Sequence, residues 1–136
     1  MISDDFARQL RRAGVRWDPA PGDQFRIEAE LVQDDVYILS HMVIEARTYA
    51  TGTVLHFNGT TEWALDSLAK EDALWLPRED QLRELLGGTF CSMEREDDVF
   101  RVRTKGADGT EESFIAHAVE DAYAQAVLTL VQHATQ

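Results

Sequence analysis

The chain has 136 residues and a mass of 15.4 kDa, with 44% hydrophobic and 28% charged residues, and its 13 Lys+Arg against 25 Asp+Glu give a formal net charge of -12. This size predicts one domain with its own core and excludes fibrous and multidomain architectures; the apolar content excludes wholesale disorder, and no run reaches the roughly 18 apolar residues of a membrane span. A sequence pI near 4.6 repels phosphate backbones, so no nucleic-acid partner is expected.

The start Met1-Ile2-Ser3-Asp4-Asp5 has neither the basic stretch nor the apolar run of a secretory signal, and the single cysteine, Cys91, has no internal disulfide partner. Both features predict a cytoplasmic protein. Among the bases only Lys70 and Lys105 are lysines, a skew expected of a GC-rich bacterial genome.

Residues 3 to 13 place Phe6, Leu10 and Ala13 on one stripe, with Ser3 as N-cap, Asp4 and Asp5 in the first turn and Gly14 as the stop, so a short amphipathic helix is predicted. Arg8, Arg11, Arg12 and Arg16 form a dense basic cluster that completes the dipole at its far end. Trp17-Asp18-Pro19-Ala20-Pro21-Gly22-Asp23 reads as a loop, because each proline forces extended geometry on the residue before it and Gly22 permits a sharp bend. Phe25, Ile27, Ala29 and Leu31 then alternate with Arg26, Glu28 and Glu30, the period of a strand with one buried face. Further β-branched and aromatic runs at 36–39, 42–49 and 53–57, with Gly52 at a turn, extend this into an antiparallel meander.

After Asn58-Gly59-Thr60-Thr61, the spacing of Trp63, Ala64, Leu65, Leu68 and Ala69 predicts a helix. A second helix is expected from Pro77 at its first position, Glu79 and Asp80 in its first turn, the stripe Leu82, Leu85 and Leu86, and Gly87-Gly88 as its end. Between them Ala73-Leu74-Trp75-Leu76 reads as a buried connector or short strand. Strands are predicted over 90–94, 99–104 and 112–116, turning at Glu96-Asp97-Asp98 and at the Asp108-Gly109 pair. The last element is a helix, because Val119, Ala122, Tyr123, Ala126, Val127, Leu130 and Val131 recur at steps of three and four. The architecture is therefore α+β: a mainly antiparallel sheet, helices packed on one face, and a long C-terminal helix.

Chemistry is sparsely signalled. No Gly-Lys pair exists, which excludes a P-loop, and neither a G-x-G-x-x-G run nor a G-x-S-x-G elbow is present. His41, His56, His117 and His133 are scattered over separate elements, and His117-x-x-Glu120-Asp121 is read as an acidic helix start, so no metal site is expected. Cys91 has only Arg95 nearby as a cation that could activate a thiol, and it reads as a core or half-buried residue. The acidic groups Glu28, Glu30, Asp34, Asp35 and Glu94, Glu96, Asp97, Asp98 lack the spacing of a calcium loop and read as solvated turns. No catalytic residue and no cofactor are assigned.

The tryptophan-bearing centre is the most informative stretch. Trp63 and Trp75 bracket a helix and its exit, and each carries an indole N–H that needs an acceptor if buried. With Arg78 and Arg83 beside them and His56 at a strand end, they are the candidate interface or pocket residues, since aromatics and arginines dominate interface hot spots. This centre, above all Trp-Leu-Pro-Arg-Glu-Asp-Gln-Leu at 75–82, together with Ala-Gly-Val-Arg-Trp-Asp-Pro-Ala-Pro-Gly-Asp-x-Phe at 13–25, resembles a family of small uncharacterised acidic bacterial proteins, some of which carry a pilus-assembly label. The resemblance spans most of the chain and implies one compact domain without a known activity. The function expected is a non-enzymatic binding or regulatory module that acts through protein contacts, self-association included, and has no membrane partner. The alternative is a small-molecule binder or enzyme with a pocket between sheet and helices near Trp63, Trp75 and Arg78.

Overall fold

The structure is a computed structural model that describes residues 1–28, 36–39, 45–49, 52–56, 67–69 and 72–134. The fold is α+β, and every pair of strands described is antiparallel. Two compact units emerge: Trp17–Leu76, and Met1–Arg16 with Pro77–Gln136. No helix among the described residues is long and apolar enough to cross a membrane.

The unit containing both ends of the sequence begins with α1 (Asp4–Arg12). Ser3 caps it by accepting a hydrogen bond from the Phe6 N–H at 3.3 Å, the two acids fill the first turn, and Arg11 and Arg12 fill the last. α2 (Glu79–Leu86) follows the sequence expectation with one correction, since Arg78 is its N-cap and Pro77 lies outside it. The reciprocal bond from the Arg78 N–H to the Gln81 side chain at 2.9 Å fixes that start, and the helix cannot begin a residue earlier.

After a 3₁₀ turn at Gly87–Thr89, strands β7 (Phe90–Glu96), β8 (Val99–Lys105) and β9 (Glu111–Ala116) form a meander. The first hairpin turns through Asp97 and Asp98, with Asp97 at φ 55, a conformation that Asp tolerates better than most residues. The second is wider than a two-residue turn: Gly106 donates to the Thr110 carbonyl at 2.8 Å, Gly109 takes φ 86, and the Asp108 carboxylate accepts from the Thr110 N–H at 3.0 Å. Register alone separates the two faces. Met93, Val102 and Phe114 stand in one row, and Glu94, Arg101 and Ile115 in the next, on the opposite side. The second face is wet and laced with charge, Arg101 reaching Glu96 at 3.1 Å and Arg103 reaching Glu94 at 3.5 Å.

α3 (Val119–Ala134) packs against β8 and β9, and α1 and α2 both pack against α3. Its buried residues are Ala122, Tyr123, Ala124, Ala126, Val127 and Leu128, so it is covered over more than the one stripe the periodicity predicts. It is the central element of this unit.

The other unit contains β1 (Gln24–Ile27), β2 (Val36–Ile38), β3 (Glu45–Tyr49), β4 (Gly52–His56), β5 (Ser67–Ala69) and β6 (Ala73–Leu76), arranged as the sheets β2-β1-β6 and β3-β4-β5. The helix expected over 63–69 is corrected here. Ser67–Ala69 pair with His56–Val54 as a strand, while Trp63, Ala64 and Leu65 lie outside the described residues. A run of apolar residues this short fits either period, and pairing with β4 decided it. Among the described residues the strands form three small antiparallel sheets.

Candidate functional site

The loop from Trp17 to Asp23 is closed by its own side chains. The Asp23 carboxylate, only 3% exposed, accepts from the Trp17 indole N–H at 2.9 Å and from the Ala20 N–H at 3.0 Å. Gly22, at φ 91, donates to the Leu39 carbonyl at 2.7 Å, and the Leu39 N–H donates to the Asp23 carbonyl at 2.9 Å. Bonds of this kind turn two prolines and a buried acid into a rigid clasp on β1 and the end of β2.

The clasp seats Trp17 on an aromatic row. Its ring lies 6.5 Å from Trp75 at an interplanar angle of 7°, and 5.6 Å from Phe25, which in turn lies 5.6 Å from Tyr37. Register explains the row, because Tyr37, Phe25 and Trp75 are directly opposite one another across β2, β1 and β6. Trp17, Phe25, Ile27, Leu39 and Ala73 are its buried centre. Trp75 is partly buried, yet its Nε1 is enclosed and has no hydrogen-bond partner among the described residues. The buried carboxylate of Asp23 bonds the Trp17 indole and not that of Trp75. An enclosed donor left so costs about 1–3 kcal/mol.

The reverse face of this sheet is different. Leu74 and Leu76 on β6 are fully buried, but Val36 and Ile38 on β2 are exposed, Ile38 to 63%. Among the described residues β2 is an edge strand. Because Leu39 directs both backbone groups at the loop before β1, alternation directs those of Tyr37 at β1 and those of Val36 and Ile38 outwards. The sequence reads Val36-Tyr37-Ile38-Leu39 as one β-branched and aromatic run of a meander; nothing in it separates a central strand from an edge, and Asp23 was likewise hidden within a polar loop. The edges of the β7-β8-β9 sheet carry protection. β9 has the Ile115 carbonyl bonded by the Gln125 side chain at 3.0 Å, and β7 has a register shift between Phe90 and Ser92 and the charges Glu94, Arg95 and Glu96.

The sequence-predicted residues fall in both units. His56 pairs with Glu45 and Ser67 at the end of β4, and Trp63 lies outside the described residues. Arg78 caps α2 and holds Asp80 at 3.1 Å, a bond that keeps the Asp80 carboxyl below its usual range. Arg83 is spent on packing: Nε and Nη2 donate to the Tyr123 hydroxyl at 3.0 and 2.7 Å, and the guanidinium lies 4.7 Å above the Phe90 ring. Burial pushes the Tyr123 hydroxyl above its ordinary pKa, against the opposing pull of Arg83.

Outside these positions, the chemistry-bearing residues stay apart. Among the described residues no three His, Cys, Asp or Glu side chains converge as metal ligands. Cys91 is exposed on β7, which corrects its reading as a core or half-buried residue; the strand is at a sheet edge. A pocket lined by Leu86, Thr104, Glu112, Leu130 and His133 holds about 30 Å³, room for a water molecule rather than a metabolite. Comparison with protein-family models, curated proteins and solved structures gives no match.

Proposed function

We propose that this chain is a cytoplasmic, non-enzymatic binding module that acts through protein contacts, and that its contact is strand addition at β2. The observation that carries the reading is that β2 is an edge among the described residues: its backbone groups at Val36 and Ile38 turn away from β1, its two β-branched side chains are exposed, and the three residues of the strand include no charge or proline. An extended segment laid along β2 finds main-chain bonds for affinity and apolar side chains for specificity. A photo-crosslinking residue in place of Ile38 tests it in cell extract, with the same residue in place of exposed Leu85 on α2 as control. A discrete adduct at 38 that mass spectrometry identifies, and that Val36→Lys removes, is the expected result. Equal, diffuse labelling at both positions refutes it.

A second reading is favoured by the Nε1 of Trp75, which has no partner among the described residues: a small molecule bearing a hydrogen-bond acceptor seated against the Trp17–Trp75 stack. Its signature is quenching or a blue shift of tryptophan emission, with a rise in Tm on addition of ligand.

A further inference from the structure

We infer that Asp108–Gly109 is a site of covalent modification, the conversion of Asp108 to isoaspartate, and that the β8–β9 hairpin holds this site closed while the chain is folded.

The reaction needs only the chain and water. The Gly109 amide nitrogen attacks Cγ of the neutral Asp108 carboxyl, the amide proton leaves with the Cγ hydroxyl as water, and a succinimide ring results. Water then re-enters at either ring carbonyl. Entry at Cγ restores aspartate; entry at the main-chain carbonyl breaks the former peptide bond and leaves the chain running through Cγ, with no change of mass. Of the aspartates, Asp108 alone precedes a glycine, whose missing side chain leaves the attacking nitrogen unhindered.

The hairpin restrains both reacting groups. The Gly109 N–H is committed to the Gly106 carbonyl at 3.0 Å, with Gly109 held at φ 86. The Asp108 carboxylate accepts from the Thr110 N–H at 3.0 Å, the Asx bond of a tight turn. That N–H, and after it the Thr110 hydroxyl, hold the Asp108 carboxyl below its usual range, which depletes the neutral acid that the attack requires. The loop is shut at its base, where Gly106 donates to the Thr110 carbonyl at 2.8 Å and Lys105 pairs with Glu111. Ala107 to Thr110 are all exposed, so water reaches the site and the restraint comes from these bonds rather than from burial. Modification therefore proceeds through the fraction of molecules whose hairpin is open. Its product loosens what held it back. The inserted Cβ lengthens the main chain between Asp108 and Gly109, which displaces the acceptor of Thr110 at the start of β9, a strand against which α3 packs.

The test is incubation of the full chain at 37 °C and neutral pH, with and without denaturing urea. Isoaspartate at 108 is located by electron-transfer fragmentation of the tryptic peptide that begins at Gly106, which separates it from products of Asn58–Gly59. Accumulation about tenfold or more faster in urea is expected, since each bond to a charged acceptor is worth about that factor. Thr110→Pro deletes the N–H given to Asp108 and keeps the carbonyl that closes the loop, so in native buffer it should raise the rate about tenfold while the far-ultraviolet dichroism is retained. If that variant fails to fold, Thr110→Val, which removes the hydroxyl alone, should give a smaller rise in the same direction. Equal rates with and without urea overturn the gating, as does a folded variant at Thr110 that modifies no faster than the parent. Absence of isoaspartate at 108 in urea overturns the site itself.

Discussion

Asp23 shows how much one side chain can organise. A carboxylate at 3% exposure is tolerated because it receives the Trp17 indole N–H and the Ala20 N–H, and removing it strands both donors. Asp23→Ala should cost about 2–4 kcal/mol in urea unfolding followed by tryptophan emission, and a change under 0.5 kcal/mol would show that the clasp contributes little. Tyr123 gives a prediction in pH. Its hydroxyl is raised above the ordinary value near 10, so the folded state holds this proton more tightly than the unfolded chain. The stabilisation is fully present below pH 10 and is lost as pH rises through the folded pKa. Tm should therefore fall on alkaline titration as tyrosinate absorbance appears, and the fall should be shallower in Tyr123→Phe.

Among the elements, α3 departs most usefully from its own pattern. Its periodicity marks a stripe through Ala122, Ala126 and Leu130 and leaves Ala124 unassigned, but α1, α2 and the sheet surround the helix and bury Ala124 completely. Ala124→Gln should therefore destabilise the unit by about 2–4 kcal/mol, since it combines overpacking with an unpaired buried amide. Thermal denaturation followed at 222 nm gives the answer, and a neutral result would mean that the helix has one buried face only. The N-cap of α1, the β7–β8 and β8–β9 hairpins and α3 itself were legible because capping, turn chemistry and a sustained period are local signals. The stretch ending at Ala69 was not, because three residues paired with β4 outweigh a helical spacing that no neighbouring element reinforces.

At the scale of the whole molecule, the two units can be observed separately. All three tryptophans, Trp17, Trp63 and Trp75, belong to residues 17–76, whereas the helices among the described residues all lie in the other unit. Emission therefore reports one unit, and the dichroism of the described helices at 222 nm reports the other. The unit of residues 17–76 rests on strands of three to five residues in two small sheets, so its emission midpoint in urea should precede the dichroism midpoint. Coincident midpoints would show that the units unfold as one.

By itself the sequence determined the α+β class, the antiparallel habit of the strands and the terminal helices, because periodicity, caps and turn residues act over a few positions. Among the candidate residues it named side chains with the right chemistry but could not distribute them. Tertiary structure decided that Arg83 lies against Phe90 and Tyr123, that Trp17 and not Trp75 bonds the Asp23 carboxylate, and that the apolar run at Val36 is an edge among the described residues. The physical reason is common to all three. Burial and pairing depend on which distant segment arrives as a neighbour, and a strand's own residues are the same whether one side of it is paired or both.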